Sequence, residues 1–166
     1  VVPDLGRTLH HSDVRVKRAA VRALAKIGGT AAERELAAAL HENEAATQTE
    51  ILQSLVTMRA RGAVFDIGAI LKERRAELPV RILAADAIGQ LGSADGLPYL
   101  SEVLRRRGRI GGEPAELRIA AADALNASSA DGAREIVASV LESEPRGTVR
   151  DLILKSLQRA RPRAES

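Results

Sequence analysis

The fold is decided by the stretch Val80-Arg81-Ile82-Leu83-Ala84-Ala85-Asp86-Ala87-Ile88-Gly89-Gln90-Leu91-Gly92. Its apolar residues at 80, 84, 87, 88 and 91 share one face of a helix of period 3.6, and Gly92 supplies the stop. The pattern recurs along the chain. It runs from Val16-Lys17 through Ala20, Ala23, Leu24 and Ile27 to Gly28, and from Leu117-Arg118 through Ala121, Ala124 and Leu125. It returns from Val149-Arg150 through Ile153, Ser156, Leu157 and Ala160, with a degenerate copy from Thr47-Gln48 through Ile51, Ser54, Leu55 and Met58. Aligned on Leu24, Leu55, Ile88, Leu125 and Leu157, the copies lie 31, 33, 37 and 32 residues apart. That is a helix-pair period carrying one insertion.

Each copy follows a shorter helix with apolar residues four apart: Leu5 and Leu9, Leu36 and Leu40, Ile67 and Leu71, Leu100 and Leu104, Val137 and Leu141. Each unit is therefore helix A, turn, helix B. The units fall at about 3–29, 30–62, 63–94, 95–130 and 131–161 of one repeat domain, with a tail at 162–166. Ser12-Asp13 and Thr148 are placed to cap the start of a helix B. Pro79, Pro98 and Pro114 sit at or near helix starts, where a missing amide proton costs little. Gly28-Gly29, Gly62, Gly92 and Gly111-Gly112 mark turns. Such units bury their apolar faces only against their neighbours, in a quasi-one-dimensional stack.

The runs Val-Arg-x-x-Ala-Ala-x-Ala-Ile-Gly-x-Leu-Gly at 80–92 and Leu-Arg-Ile-Ala-Ala-Ala-Asp-Ala-Leu at 117–125 resemble the HEAT-like repeats of the phycobilisome-lyase type. The resemblance extends over essentially the whole chain. It implies an all-α, right-handed α-α superhelix, a HEAT-like solenoid of about five helical hairpins. It also implies that the helices B line the concave face, and that the recurrent Lys17, Arg81, Arg118 and Arg150 make ion pairs between units. The tetratricopeptide pattern would need aromatics that this chain lacks, and the ankyrin Thr-Pro-Leu-His signature is absent.

Composition narrows the function classes. Hydrophobic residues make up 45% and charged residues 28%, as in a folded protein. Aromatics are only 1%, so stacked-base platforms for single-stranded nucleic acid are excluded. The absence of cysteine excludes thiolate metal sites and thiol nucleophiles and suits a cytoplasmic, reducing compartment. No apolar run reaches membrane-span length. The chain opens on Val1-Val2-Pro3 without methionine, so it is expected to be part of a longer protein, and a targeting segment upstream would go unseen. Of 25 basic residues 21 are arginine, but the net charge is only +3.

Two candidate surfaces stand out. One is the exposed stripe of helix B, where stacking lines up Arg22, Gln53, Asp86, Asp123 and Lys155, with Lys26, Thr57, Gln90, Ala127 and Arg159 one turn on. This stripe is basic at both ends and acidic in the middle. A nucleic-acid backbone wants one sign throughout, whereas a mixed-charge protein partner fits the alternation. The other is the insertion between Leu104 and Leu117, 13 positions against 7 for Leu9 to Val16, which carries Arg105, Arg106, Arg107 and Arg109. Four arginines in five residues suit a phosphate or an acidic partner. Cations are also favourable at a helix C-terminus, beside a glycine-rich loop.

His10, His11 and His41 fall at helix ends. The deoxyhypusine hydroxylase type of HEAT-like enzyme uses several inward His-Glu pairs. This chain has only His41-Glu42, with Ile82-Leu83 and Ile119-Ala120 at the matching positions. No metal or cofactor site is expected, and no nucleophile elbow or P-loop occurs. The expectation is a non-catalytic protein-interaction scaffold of open oligomeric state, binding its partner on the helix-B stripe and the Arg-rich edge. A phycobilin lyase-type subunit acting on a phycobiliprotein is one alternative, and nucleic-acid backbone binding through the Arg edge is another.

Overall fold

A computed structural model describes residues 1–108 and 110–159, and these form ten α-helices without a strand among them. They run as α1 (Val2–Thr8), α2 (Val14–Ile27), α3 (Gly29–Ala39), α4 (Ala45–Thr57), α5 (Val64–Lys72), α6 (Leu78–Leu91), α7 (Leu97–Arg105), α8 (Ala115–Ala127), α9 (Ala133–Ser143) and α10 (Thr148–Arg159). Odd-numbered helices touch the next odd-numbered helix, and even-numbered helices the next even-numbered one. The result is a two-layer HEAT-like solenoid of five helical hairpins, with the helices A in one layer and the helices B in the other. No described helix is long and apolar enough to cross a membrane.

The core lies between the layers. Leu24, Leu55, Ile88 and Leu125 are buried on the B side, and Leu9, Leu36, Leu40, Ile67, Leu71, Leu100, Leu104 and Val137 meet them from the A side. Alanine takes the place of the missing aromatics: Ala84, Ala85, Ala87, Ala121, Ala122 and Ala124 are buried where α6 and α8 pack. The approach is closest at Gly89, where a Cβ would sit 2.6 Å from the Ala124 carbonyl oxygen. At the next junction the equivalent residue is Asn126, which donates to Ser156 Oγ at 2.8 Å. One crossing point is thus closed by backbone proximity and the next by a buried hydrogen bond.

Asp13 caps α2 by accepting from the Arg15 amide at 2.8 Å, as the sequence predicts. Thr148 differs: the helix starts on it, so it is the first residue of α10 and not its cap. Pro79 and Pro98 lie in the first turns of α6 and α7. Gly92 ends α6 in the left-handed region with φ of 61°. The degenerate second unit has Arg59 at that place, with φ of 54°, and the Ala60 amide closes on the Leu55 carbonyl at 2.9 Å. A left-handed arginine costs roughly 1–2 kcal/mol that glycine would not.

Candidate partner-binding groove and the inter-unit ladder

The helix-B stripe opens into a groove where α4 and α6 run side by side. Leu52, Val56, Leu83 and Ala87 supply its apolar lining, and Gln53, Thr57, Asp86 and Gln90 supply its polar one, around a volume of about 320 Å³. The residues in register with Gly89–Ala124 and Asn126–Ser156 are here Val56 and Ala87, which line the groove. Gln90 Nε2 donates to Asp86 Oδ2 at 2.7 Å, which fixes the carboxylate at the rim. The groove continues past Gln90 towards Arg59 and Arg61 at the end of α4. Asp123 faces a second hollow of about 410 Å³ between α8 and α10, with Asn126, Ala127, Arg134, Ser156 and Arg159.

The structure thus brings Gln53, Asp86 and Gln90 into one site and puts Asp123 in the neighbouring one. Arg22 stands apart, its guanidinium 2.7 Å from Glu50 of the next helix B, which also takes Arg18. Burial opposes ionisation of Glu50, but the hydrogen bonds from Arg18 and Arg22 outweigh it and hold the carboxyl below its usual range. A hollow of about 660 Å³ lies on the other layer, lined in part by Ala37, Ala38, Ala63 and Gly62. It holds Glu33, Arg34 and Asp66 but no buried polar group lacking a partner.

The arginines of the insertion are tied into the molecule. Arg105 reaches Ser101 at 3.1 Å and Ser139 at 3.3 Å. Arg106 lies 3.1 Å from Glu102 and 3.9 Å from Glu113, and Arg107 reaches the Ser143 carbonyl and lies 3.9 Å from Glu144. Arg74, at the end of the previous helix A, holds the carbonyls of Gly111 and Gly112 at 3.3 and 3.0 Å. Arg109 lies outside the described residues.

The recurrent basic position forms a ladder. Arg81 Nε donates to the Leu71 carbonyl at the end of its own helix A, and Arg118 Nε to Leu104, at 2.8 and 2.9 Å. The far ends of both guanidiniums meet a carboxylate in the next unit's loop. Arg118 grips Glu144 with two hydrogen bonds of 2.9 and 2.6 Å, and Arg81 lies 2.9 Å from Glu113 without a hydrogen bond's alignment. Their side chains are 2–6% exposed. Lys17 reaches Glu44 at 2.8 Å, and this bond, with that from Thr47, lowers the Glu44 pKa to about 2. Arg150 donates to the Leu141 and Glu144 carbonyls. The cations were readable from their recurrence. The carboxylates were not, because each loop places its acid at a different offset; Glu113 reaches its rung only through the insertion.

The histidines are surface groups. His10 lies 3.1 Å from Glu42, His41 lies 3.4 Å from Asp66, and His11 Nδ1 accepts from the Asp13 amide. Among the described residues no three His, Asp or Glu side chains converge as a metal site would require.

Residues 16–42 and 80–106 each match the sequence model of the PBS lyase HEAT-like repeat. The chain carries HEAT-like repeats of the PBS lyase type. Among solved structures, these repeats superpose on the complex of CpcE and CpcF of phycocyanin lyase from Nostoc sp. PCC7120 with a TM-score of 0.62 and 22% identity. The match covers 96% of this chain and 65% of that one, so this HEAT-like chain spans just under two thirds of the neighbour's length. Human deoxyhypusine hydroxylase in complex with glycerol matches with a TM-score of 0.52, 13% identity, and 96% and 94% coverage. At these identities the likeness is one of fold. No curated protein matches the sequence.

Proposed function

We propose that this HEAT-like chain is a scaffold that binds a protein partner along its helices B. The groove between α4 and α6 carries the reading. An apolar floor bordered by Gln53, Thr57, Asp86 and Gln90 offers both burial and hydrogen bonding to an extended segment. Asp123 and the basic ends at Lys26 and Lys155 extend the alternation of charge, which favours a mixed-charge protein over a uniformly charged polymer. Arg105, Arg106 and Arg107 keep exposed surface at the end of α7 and offer a second contact along that edge.

The test is charge reversal. Asp86→Arg with Asp123→Arg should weaken partner capture from the source cell at least tenfold, with helicity and melting temperature unchanged. Undiminished capture would remove the groove from the account. Reversal at Arg106 or Arg107 is a less clean probe, because it also disturbs Glu113 and Glu144.

The repeat type favours a second reading, a lyase-type subunit whose partner is a phycobiliprotein. The phycocyanin lyase neighbour is itself a complex of two chains. Bilin transfer to an apo-phycobiliprotein by this chain, alone or with a second HEAT-like subunit, would support it; absence of transfer in both arrangements would remove it.

A further inference from the structure

The inter-unit ladder has one rung without a cation. The position held by Lys17, Arg81, Arg118 and Arg150 is Gln48 in the second unit. Gln48 keeps half of the rung's work, donating from Nε2 to the Leu40 carbonyl at 2.8 Å as Arg81 does to Leu71. It cannot supply the other half, a positive charge for the next loop. That loop has its acids in place. Glu77 stands at the N-cap of α6, as Glu44 does at that of α4, and Glu73 at the C-cap of α5, as Glu144 does at that of α9. Glu44 and Glu144 each hold a cation from the preceding unit. Among the described residues, Glu77 has no side-chain partner, and Glu73 accepts only the Arg75 amide, at 3.0 Å.

The junction is open as well as uncompensated. A cavity of about 360 Å³ lies there, lined by Gln48, Glu73, Glu77, Asn43, His41 and Arg75. Gln48 is only 9% exposed, and its Oε1 accepts no hydrogen bond among the described residues. Asn43 Oδ1 is buried and likewise without a donor. Two carboxylates and two amide oxygens therefore surround a space into which the chain sends one cation, Arg75, which forms no ion pair among the described residues.

We infer that this vacant rung is a socket for an arginine side chain presented by a partner polypeptide, distinct from the α4–α6 groove. Acceptors from three elements suit the planar fork of a guanidinium, whose five N–H groups can serve several oxygens at once, better than the point charge of an ammonium. An inserted arginine completes at this junction the bridge that Arg81 and Arg118 make internally at the next two.

The probe is N-acetyl-arginine methylamide, followed by amide chemical shifts of the whole chain. Saturable shifts are expected for the Gln48 side-chain amide and residues 73–77, with the neutral citrulline analogue at least tenfold weaker. Free arginine should bind no tighter than the blocked form; a clear preference for it would replace the partner side chain with a small-molecule ligand and overturn the inference. Gln48→Arg should fill the socket from within, raising the melting temperature by a few degrees and weakening the probe at least tenfold. Adding Glu77→Gln should cancel most of that rise. Equal shifts with citrulline, or undiminished binding by Gln48→Arg and by Glu77→Gln alone, would overturn the proposal.

Discussion

At the scale of single residues, stability rests on small side chains and buried charges. Gly89→Ala illustrates a contest between two effects. Alanine gains about 1 kcal/mol of helix propensity, but its Cβ would meet the Ala124 backbone at 2.6 Å, and no side-chain rotation relieves that overlap. Overpacking of this kind costs about 1–3 kcal/mol, so the gain in propensity is cancelled or outweighed and a net loss of up to about 2 kcal/mol is expected in urea unfolding. The Arg118–Glu144 pair is a second case. Glu144→Ala would leave a buried guanidinium uncompensated and should cost about 3–5 kcal/mol. The joint change of Arg118→Met with Glu144→Leu should recover most of that, keeping a deficit of about 1 kcal/mol from the uncapped Leu104 carbonyl. A double variant as unstable as the single one would show that the pair's geometry, and not the stranded charge, is what matters.

At the scale of the elements, the helices were legible because period 3.6 and the spacing of Leu24, Leu55, Ile88, Leu125 and Leu157 are local properties of the sequence. The loops were not. Four arginines beside glycines look alike whether they await a ligand or bind their own chain. Only the fold shows Arg106 and Arg107 beside Glu113 and Glu144, and Arg74 holding the insertion's carbonyls. Asn126 was missed for the same reason, since its hydrogen bond to Ser156 crosses units. The ladder also sets a pH response. Glu44 has its pKa lowered from 4.5 to about 2, so its stabilisation is complete above about 4.5 and is lost as pH falls towards 2. The melting temperature should drop over that interval, and Glu44→Gln should flatten this part of the profile. An unchanged acid limb in the variant would show that Glu44 is not coupled to folding.

At the scale of the whole molecule, the regular units account for folding, and the proposed function rests on the departures from them. Unit two surrenders its ladder cation and its terminal glycine, unit four inserts a loop that delivers Glu113, and the helix-B layer changes sign along its length. These departures meet around α4 and α6. Site-specific photocrosslinking in the source cell distinguishes a partner seated on the helix-B groove from one on the opposite layer. A crosslinker at Gln53 or Gln90, in the groove, should yield the same partner adduct, and one at Ala38, on the opposite layer, should yield none. An adduct from Ala38 with none from Gln53 or Gln90 would place the partner on the helix-A layer and contradict the account.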